Sequence, residues 1–303
     1  MNGGERAGGM PAGPAVELGR IGLWAPLWLW VQQGDALPGA AAEIEELGYG
    51  AIWLANGDRV LELAGEVLDA TRTVAVATGI VNIWVHPAEP VAAAHAALVG
   101  RHPHRWLLGL GNGPRRADQW QLSPYRTLIR YLDELDVLGV PARQRVLAAV
   151  GPRMLALAAG RSGGAHPFLT TPEHTRQARA ALGPGALLAP EQKVVLETDA
   201  DRARTVARQA LDFYLPKRGY SGNLRRLGFT DEDLAGGGSD RLVDAVVAWG
   251  DPDAIRARVD EHLAAGADHV AVQPLTAETD APDLARRRLP LEAYRELAPA
   301  LTR

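Results

Sequence analysis

The sequence predicts a single α/β domain of the (β/α)8 class, the TIM barrel. Eight short apolar runs, each about the length of a strand, alternate along the 303 residues with segments of helical spacing. No series of hairpin turns separates the runs, which favours parallel strands. The length also suits one barrel, since such barrels commonly run to about 250 residues. A doubly wound open sheet is the structural alternative.

The first four strand–helix units follow one another without a long gap. Their strands are apolar runs that end at Gly, Pro or Asn, and they are predicted over 20–24, 51–54, 74–85 and 105–110. The helices between them have apolar residues three or four positions apart, and they are predicted over about 35–47, 59–70, 90–99 and 125–138. The third strand is unusually long and is interrupted by Gly79.

The last four units are predicted with strands over 145–150, 165–169, 193–197 and 269–273. Pro152 and Pro172 suit the first turn of the helices after the fifth and sixth strands, because a first-turn residue needs no N–H donor. A long helix is predicted over 199–214, and Asp251 caps another. An insertion over 216–239, with a mobile Gly236-Gly237-Gly238, could form a lid over the barrel mouth or a plain connection.

Composition narrows the class of protein. Hydrophobic residues make up 47% and charged residues 22%, which is typical of a folded globular chain. The net charge of -4 and the dispersed arginines give no basic stripe for nucleic acid. The absence of cysteine excludes disulfides and thiolate nucleophiles. Residues 1–17 are expected to form a flexible tail, with the barrel over 18–303. Neither a signal peptide nor a membrane span is evident, so we expect a cytoplasmic protein.

Ligand sites of such barrels lie at the carboxyl ends of the strands, so the residues that follow each apolar run are the candidates. Gly151-Pro152-Arg153 ends a strand and opens a helix, where free N–H groups and a guanidinium suit a phosphate. An ordinary tight turn with a surface arginine is the alternative. Trp24 is placed to form a wall against a planar ring, or simply to pack in the core.

His86 and His166 are the candidate proton donors, because imidazole titrates near neutrality. Neither histidine has the spacing of a metal ligand or a triad, so no metal site is predicted. A structural role is the alternative for both residues.

Several strand-end phrases resemble the luciferase-like monooxygenase family, and in particular its actinobacterial branch associated with coenzyme F420, a deazaflavin hydride carrier. The resemblance spans about residues 18 to 275, and the phrases that carry it lie at 18–24, 78–84, 108–111, 150–155, 164–167 and 266–270. It implies a bacterial-luciferase-like TIM barrel with the ring of the cofactor at the strand ends. It also implies a non-proline cis peptide at Gly79-Ile80 and a cofactor phosphate at Gly151-Pro152.

Position and resemblance together single out nine cofactor-binding candidates: Trp24, Asn56, Gly79, Ile80, Asn82, Asn112, Gly151, Pro152 and Arg153. Two departures from the family pattern bear on catalysis. Several relatives carry an Asp-His pair after the second strand, where this chain has Ala55-Asn56-Gly57-Asp58, and in some relatives an acidic proton donor follows the fourth strand, where this chain has Asn112. An asparagine does not exchange a proton near pH 7, which puts an acid–base role at Asn112 in doubt.

The leading functional hypothesis is an F420-dependent oxidoreductase that transfers a hydride between the deazaflavin and a small organic substrate. An FMN-dependent monooxygenase of the same family, which would need a flavin reductase as partner, is the first alternative. A flavin- or deazaflavin-binding protein without catalysis is the second. A barrel hydrolase or isomerase would need carboxylates or histidines clustered at strand ends, and the sequence has no such cluster. Relatives often dimerise, so a homodimer is possible. The substrate stays open.

Overall fold

Eleven short parallel strands form the wall of the molecule in the computed structural model, which describes residues 16–55, 57–276, 279 and 287–303. The strands are β1 (Ile21–Ala25), β2 (Ala51–Leu54), β3 (Ala75–Thr78), β4 (Val81–Asn82), β5 (Trp106–Gly111), β6 (Arg145–Leu147), β7 (Gly164–Ala165), β8 (Leu187–Leu188), β9 (Glu191–Leu196), β10 (Val247–Gly250) and β11 (Val270–Pro274).

The strands close into a ring through one stretch of chain, residues 187–196. β8, at the start of this stretch, pairs with β7, and β9, after Pro190, pairs with β11. The ring then runs from β11 through β1, β2, β3, β5 and β6 back to β7. If residues 187–196 are counted as one kinked strand and β4 as the continuation of β3, the ring has the eight strands of a TIM barrel. β10 pairs with β9 outside this ring.

The helices lie between the strands in sequence, as in an α/β barrel. They are α1 (Leu27–Val31), α2 (Leu37–Glu46), α3 (Val60–Ala70), α4 (Ala88–Arg101), α5 (Pro124–Val137), α6 (Pro152–Arg161), α7 (Pro172–Leu182), α8 (Ala200–Leu211), α9 (Arg218–Arg226), α10 (Asp231–Leu234), α11 (Asp240–Val246), α12 (Pro252–Ala264) and α13 (Leu291–Leu301).

Alternate residues of each strand pack into different cores, because successive side chains of a strand point to opposite faces. Leu23 and Ile52 join a cluster with Ile44 of α2 and other helix residues. Trp24 and Trp53 belong to a second cluster inside the ring. The carboxyl ends of all strands meet at one rim, since the strands are parallel, and this rim carries the predicted site.

Several predicted elements differ in detail from the structure. The long third strand is divided into β3 and β4, with residues 83–86 in a turn and a bend. The insertion forms α9 and α10 and leads into α11 and β10, a strand that the sequence reading missed, as it missed α13. Gly238 was expected to be mobile, yet it is buried and its carbonyl accepts a hydrogen bond from Arg208.

Most of the predicted tail, residues 1–15, lies outside the described residues, while Val16 and Leu18 are buried. Among the helices that the structure describes, none has the length and apolarity that a membrane crossing requires.

Candidate cofactor site at the barrel mouth

Three residues from three strand ends converge at the mouth of the barrel. The indole Nε1 of Trp24, at the end of β1, donates a hydrogen bond of 3.2 Å to the carbonyl of Gly79, after β3. A Cβ at Gly79 would lie 2.6 Å from that nitrogen and 2.9 Å from Nε2 of His166, after β7. No side chain fits at Gly79, so its backbone and the two rings form one close-packed surface. The peptide bond between Gly79 and Ile80 is cis, where the resemblance implied it.

His166 is held as a neutral imidazole. Its ring stacks on Trp53 at 4.1 Å, and its Nδ1 lies 2.7 Å from the carbonyl oxygen of Ala189, which can only accept a hydrogen bond. Burial lowers the pKa of His166 to about 3. Nδ1 therefore carries the proton, and the buried Nε2 presents an unused lone pair at the mouth. This geometry favours a hydrogen-bond acceptor, and the donor role remains a prediction.

Trp53 is itself held by a hydrogen bond inside the barrel. Its Nε1 donates to Nε2 of His269 at 3.0 Å, and Nδ1 of His269 donates to the carbonyl of Gly19 at 2.8 Å. This chain of bonds assigns the tautomer of His269 and holds Trp53, and with it the Trp53–His166 stack, in one orientation. The stack reaches from the floor of the barrel to the predicted site.

Further buried polar atoms at the same rim lack a hydrogen-bond partner within the described part of the chain. They are Nε1 of Trp84 and Nε2 of His86 after β4, Oδ1 of Asn112 after β5, and Oγ1 of Thr170 after β7. A buried polar group without a partner costs about 1–3 kcal/mol, so a cluster of them indicates a place where a ligand supplies the partners.

Asn82, a predicted cofactor residue, holds the loop after β5. Its Nδ2 donates to the carbonyl of Pro114 at 2.9 Å, and its Oδ1 accepts from the backbone N–H of Trp84 at 3.1 Å. A Cβ at Gly113 would lie 2.7 Å from the Asn82 amide. Asn82 thus shapes the rim, and its contact with a cofactor stays a prediction.

The predicted phosphate site lies at the amino end of α6, after β6. Gly151 is the N-cap residue and has no side chain to cap the helix, and Pro152 is the first helical residue, as predicted. The guanidinium of Arg153 lies 4.3 Å from the ring centroid of Tyr125 on α5 and is exposed. The free amino end of α6 therefore faces the rim with no acidic side chain in its first turn.

A buried ion pair inside the barrel was missed by the sequence analysis. Lys193 Nζ lies 3.0 Å from Glu191 Oε1 and donates to Gln273 at 3.0 Å, and both charged side chains are fully buried. The face of the Phe168 ring covers the ammonium at 3.8 Å, and Tyr214 lies beyond at 4.9 Å. The sequence could have indicated this pair, because Glu191 and Lys193 are two positions apart in an apolar run. In a strand, residues two positions apart point to the same face.

A cleft of about 560 Å³ lies elsewhere on the rim, between the ends of β9 and β11 and helices α8 and α13. Its lining includes Glu197 and Arg202, which form an ion pair at 2.7 Å. None of the predicted cofactor residues lines this cleft. The unpartnered polar atoms of the predicted site mark a different part of the rim from this cleft.

The structure brings Trp24, Gly79 and His166 into one cluster, and Ile80 adjoins it beside Gly111. His86 and Asn112 lie at neighbouring strand ends, each with a buried unpartnered atom. Gly151, Pro152 and Arg153 form a separate group after β6. Asn56 lies outside the described residues.

No protein-family model and no curated protein matches the chain. Among solved structures, it is similar to an F420-dependent secondary alcohol dehydrogenase in complex with an F420-acetone adduct, with a TM-score of 0.69 and 14% identity over 94% of this chain and 99% of that one. It is also similar to the coenzyme F420-dependent tetrahydromethanopterin reductase from Methanopyrus kandleri, with a TM-score of 0.69 and 15% identity over 93% and 98%.

A third similar structure contains FMN. It is the oxygenating constituent of 3,6-diketocamphane monooxygenase from Pseudomonas putida, a type II Baeyer-Villiger monooxygenase, with a TM-score of 0.64 and 12% identity over 93% and 98%. At such identities the likeness establishes the fold, and the predicted bacterial-luciferase-like TIM barrel is confirmed. The actinobacterial branch stays a prediction.

Proposed function

We propose that this chain is an oxidoreductase that binds a deazaflavin or flavin at the barrel mouth and acts on a small organic substrate. One observation carries the proposal: five buried polar atoms that have no hydrogen-bond partner among the described residues lie after β4, β5 and β7, in Trp84, His86, Asn112, His166 and Thr170. The set contains donors and acceptors, so it suits a flat ring system with both kinds of group along its edge.

The residues present fit such a ring. Trp24 and Ile80 supply apolar walls, and Gly79 permits close approach because any side chain there would collide with Trp24 and His166. Oδ1 of Asn112 and Nε2 of His166 would accept hydrogen bonds from ring N–H groups, whereas Nε1 of Trp84 would donate one to a ring carbonyl. The amino end of α6 at Gly151 would hold the phosphate.

When bound, the cofactor supplies the hydride or electron-pair chemistry, and the protein supplies orientation and protons. We propose His86 as the proton donor to the substrate. His166 is better suited to positioning, since its proton is committed to Ala189. We favour F420 over FMN, a preference supported by the sequence resemblance and by two F420-dependent proteins of the same fold. The similar FMN-containing monooxygenase keeps FMN as the second candidate.

The first test is a titration of the purified protein with F420 and with FMN, followed by tryptophan fluorescence. Saturable quenching at micromolar concentration or below is expected with F420, because Trp24 and Trp84 border the ring. Trp24→Phe should remove much of the quenching. Trp120→Phe, which changes a residue that is 68% exposed, should not.

Quenching by FMN alone would select the monooxygenase. Tight binding of either ring without turnover over a broad substrate panel would indicate a binding protein without catalysis. Failure of both rings to bind would refute the proposal.

A further inference from the structure

An arginine from the insertion lies against the amino end of α6. Nη2 of Arg226, the last residue of α9, is 3.3 Å from the position that a Cβ on Gly151 would occupy. The amino end of a helix carries roughly half a positive charge. Two positive groups therefore lie side by side here, with the guanidinium exposed to solvent, and an anion that bound between them would interact favourably with both.

No carboxylate of the described chain neutralises this place. Neither Arg226 nor Arg153 forms an ion pair with any Asp or Glu that the structure describes. By contrast Arg225, the neighbour of Arg226 on α9, pairs with Asp231 at 2.7 Å. The exposed guanidinium of Arg226 is thus accessible to an anion from solution.

Asn223 adds an independent sign of a ligand. Its side-chain oxygen accepts a hydrogen bond of 3.1 Å from Nη2 of Arg226, the same nitrogen that lies over Gly151. That bond assigns the amide orientation, so Nδ2 is the free end and can only donate. The residue is 3% exposed, and Nδ2 has no partner among the described residues.

We propose that Arg226 and Asn223 of α9 complete, with the amino end of α6 at Gly151, a binding site for the phosphate of the cofactor. The inference rests on the proposed function and extends it to the insertion, which becomes part of the binding site. The guanidinium of Arg226 lies against Gly151, and the buried amide of Asn223 is hydrogen-bonded to that guanidinium, so donors of α9 lie next to the N–H groups that open α6. This donor set matches the several acceptor oxygens of a phosphate monoester or diester.

The test compares rings that carry the phosphate with rings that lack it. Wild-type protein and Arg226→Met are titrated with FMN and riboflavin, and with F420 and its phosphate-free deazaflavin chromophore. We expect Arg226→Met to weaken binding of the phosphorylated rings about 10- to 100-fold, the effect of one charged hydrogen bond. Affinity for the phosphate-free rings should not change. Arg225→Met removes the same charge from the next residue and should leave all four affinities unaltered.

Asn223→Asp is the second variant, because it keeps the side-chain shape and places a carboxylate beside Arg226. It should weaken the binding of the phosphorylated rings at least as much as Arg226→Met does. Its melting temperature verifies that the variant is folded. Inorganic phosphate should also raise the melting temperature of the wild type more than that of either variant.

Two outcomes separate this inference from the proposed function. One outcome is that the wild type binds rings with and without phosphate equally well, or that Arg226→Met binds phosphorylated rings as tightly as the wild type. The proposed phosphate site is then refuted, and the proposed ring site is still supported. If no ring binds while inorganic phosphate stabilises the wild type and not Arg226→Met, the anion site stands and the proposed function is wrong.

Discussion

Replacing Lys193 by methionine would leave the carboxylate of Glu191 inside the barrel without its counter-charge. The pair is separated by 3.0 Å and both side chains are 0% exposed. Removing one partner of such a pair costs about 3–5 kcal/mol. At about 2 °C per kcal/mol for a chain of this size, the melting temperature at neutral pH should fall by roughly 6–10 °C.

The pH dependence of that loss follows from the proton that Glu191 can bind. Burial already raises the pKa of Glu191 above its ordinary value of 4.5, and removal of Lys193 raises it further. The folded variant then holds a proton that the unfolded chain has released. Its free energy of unfolding should therefore fall as the pH rises above about 4.5, by up to about 1.4 kcal/mol per pH unit.

The melting temperatures of the wild type and Lys193→Met at pH 5 and pH 8 test this prediction. The variant should lie closer to the wild type at pH 5. The double variant Lys193→Met with Glu191→Gln removes both charges and should recover most of the stability at pH 8. Equal melting of the single and double variants, or a deficit that does not grow with pH, would refute the account of a desolvated carboxylate.

Two more predictions concern the close-packed mouth and the buried histidines. Gly79→Ala should cost about 1–3 kcal/mol and weaken ring binding, because the new Cβ would lie 2.6 Å from Nε1 of Trp24. Gly100→Ala in α4 is the control, because nothing lies within 4 Å of the added Cβ, and it should lower neither the melting temperature nor the quenching. Equal effects of the two substitutions would contradict the proposed collision at Gly79. Burial lowers the pKa of His166 and His262 to about 3 and of His269 to about 4. Since the unfolded chain binds these three protons near pH 6.5, the three histidines should lower the free energy of unfolding on acidification from pH 6.5 to 4.5, by up to about 4 kcal/mol per pH unit. Burial also lowers the pKa of His95 and His174, which adds to the fall. Denaturant titrations at pH 7 and pH 5 measure this, and equal stability would mean that the imidazoles are solvated.

The sequence predicted the order of the barrel strands because buried parallel strands are apolar runs between turn residues. It predicted a strand over 193–197 and missed β8, two residues before Pro190 that form a strand by pairing with β7. β10 was missed for a related reason. Its four residues form a strand by pairing with β9, and local propensity does not determine that contact.

The candidate site residues were predicted from their positions along the sequence, and the contacts between them were not predicted. Trp24 and His166 were selected for their places near predicted strand ends, and Gly79 through the resemblance as well. Only the closed ring brings ring nitrogens of Trp24 and His166 to within 3 Å of the position that a Cβ on Gly79 would occupy. The neutral state of His166 depends on burial and on Ala189, which is 23 residues away. Asn223 and Arg226 were missed because they lie in the insertion, and no periodicity relates that segment to Gly151.

The pairing of β10 with β9 has a consequence for how the molecule could be rebuilt. It fastens the far end of the insertion to the barrel wall over four residue pairs, from Val247 with Lys193 to Gly250 with Leu196, while α8 fastens the near end. The two attachment points are therefore fixed by the scaffold and not by what lies between them. An exchange of residues 216–239 that keeps the end-to-end span, and keeps apolar side chains at Leu224 and Phe229, which are buried in the core, should alter ligand choice while the ring stays folded.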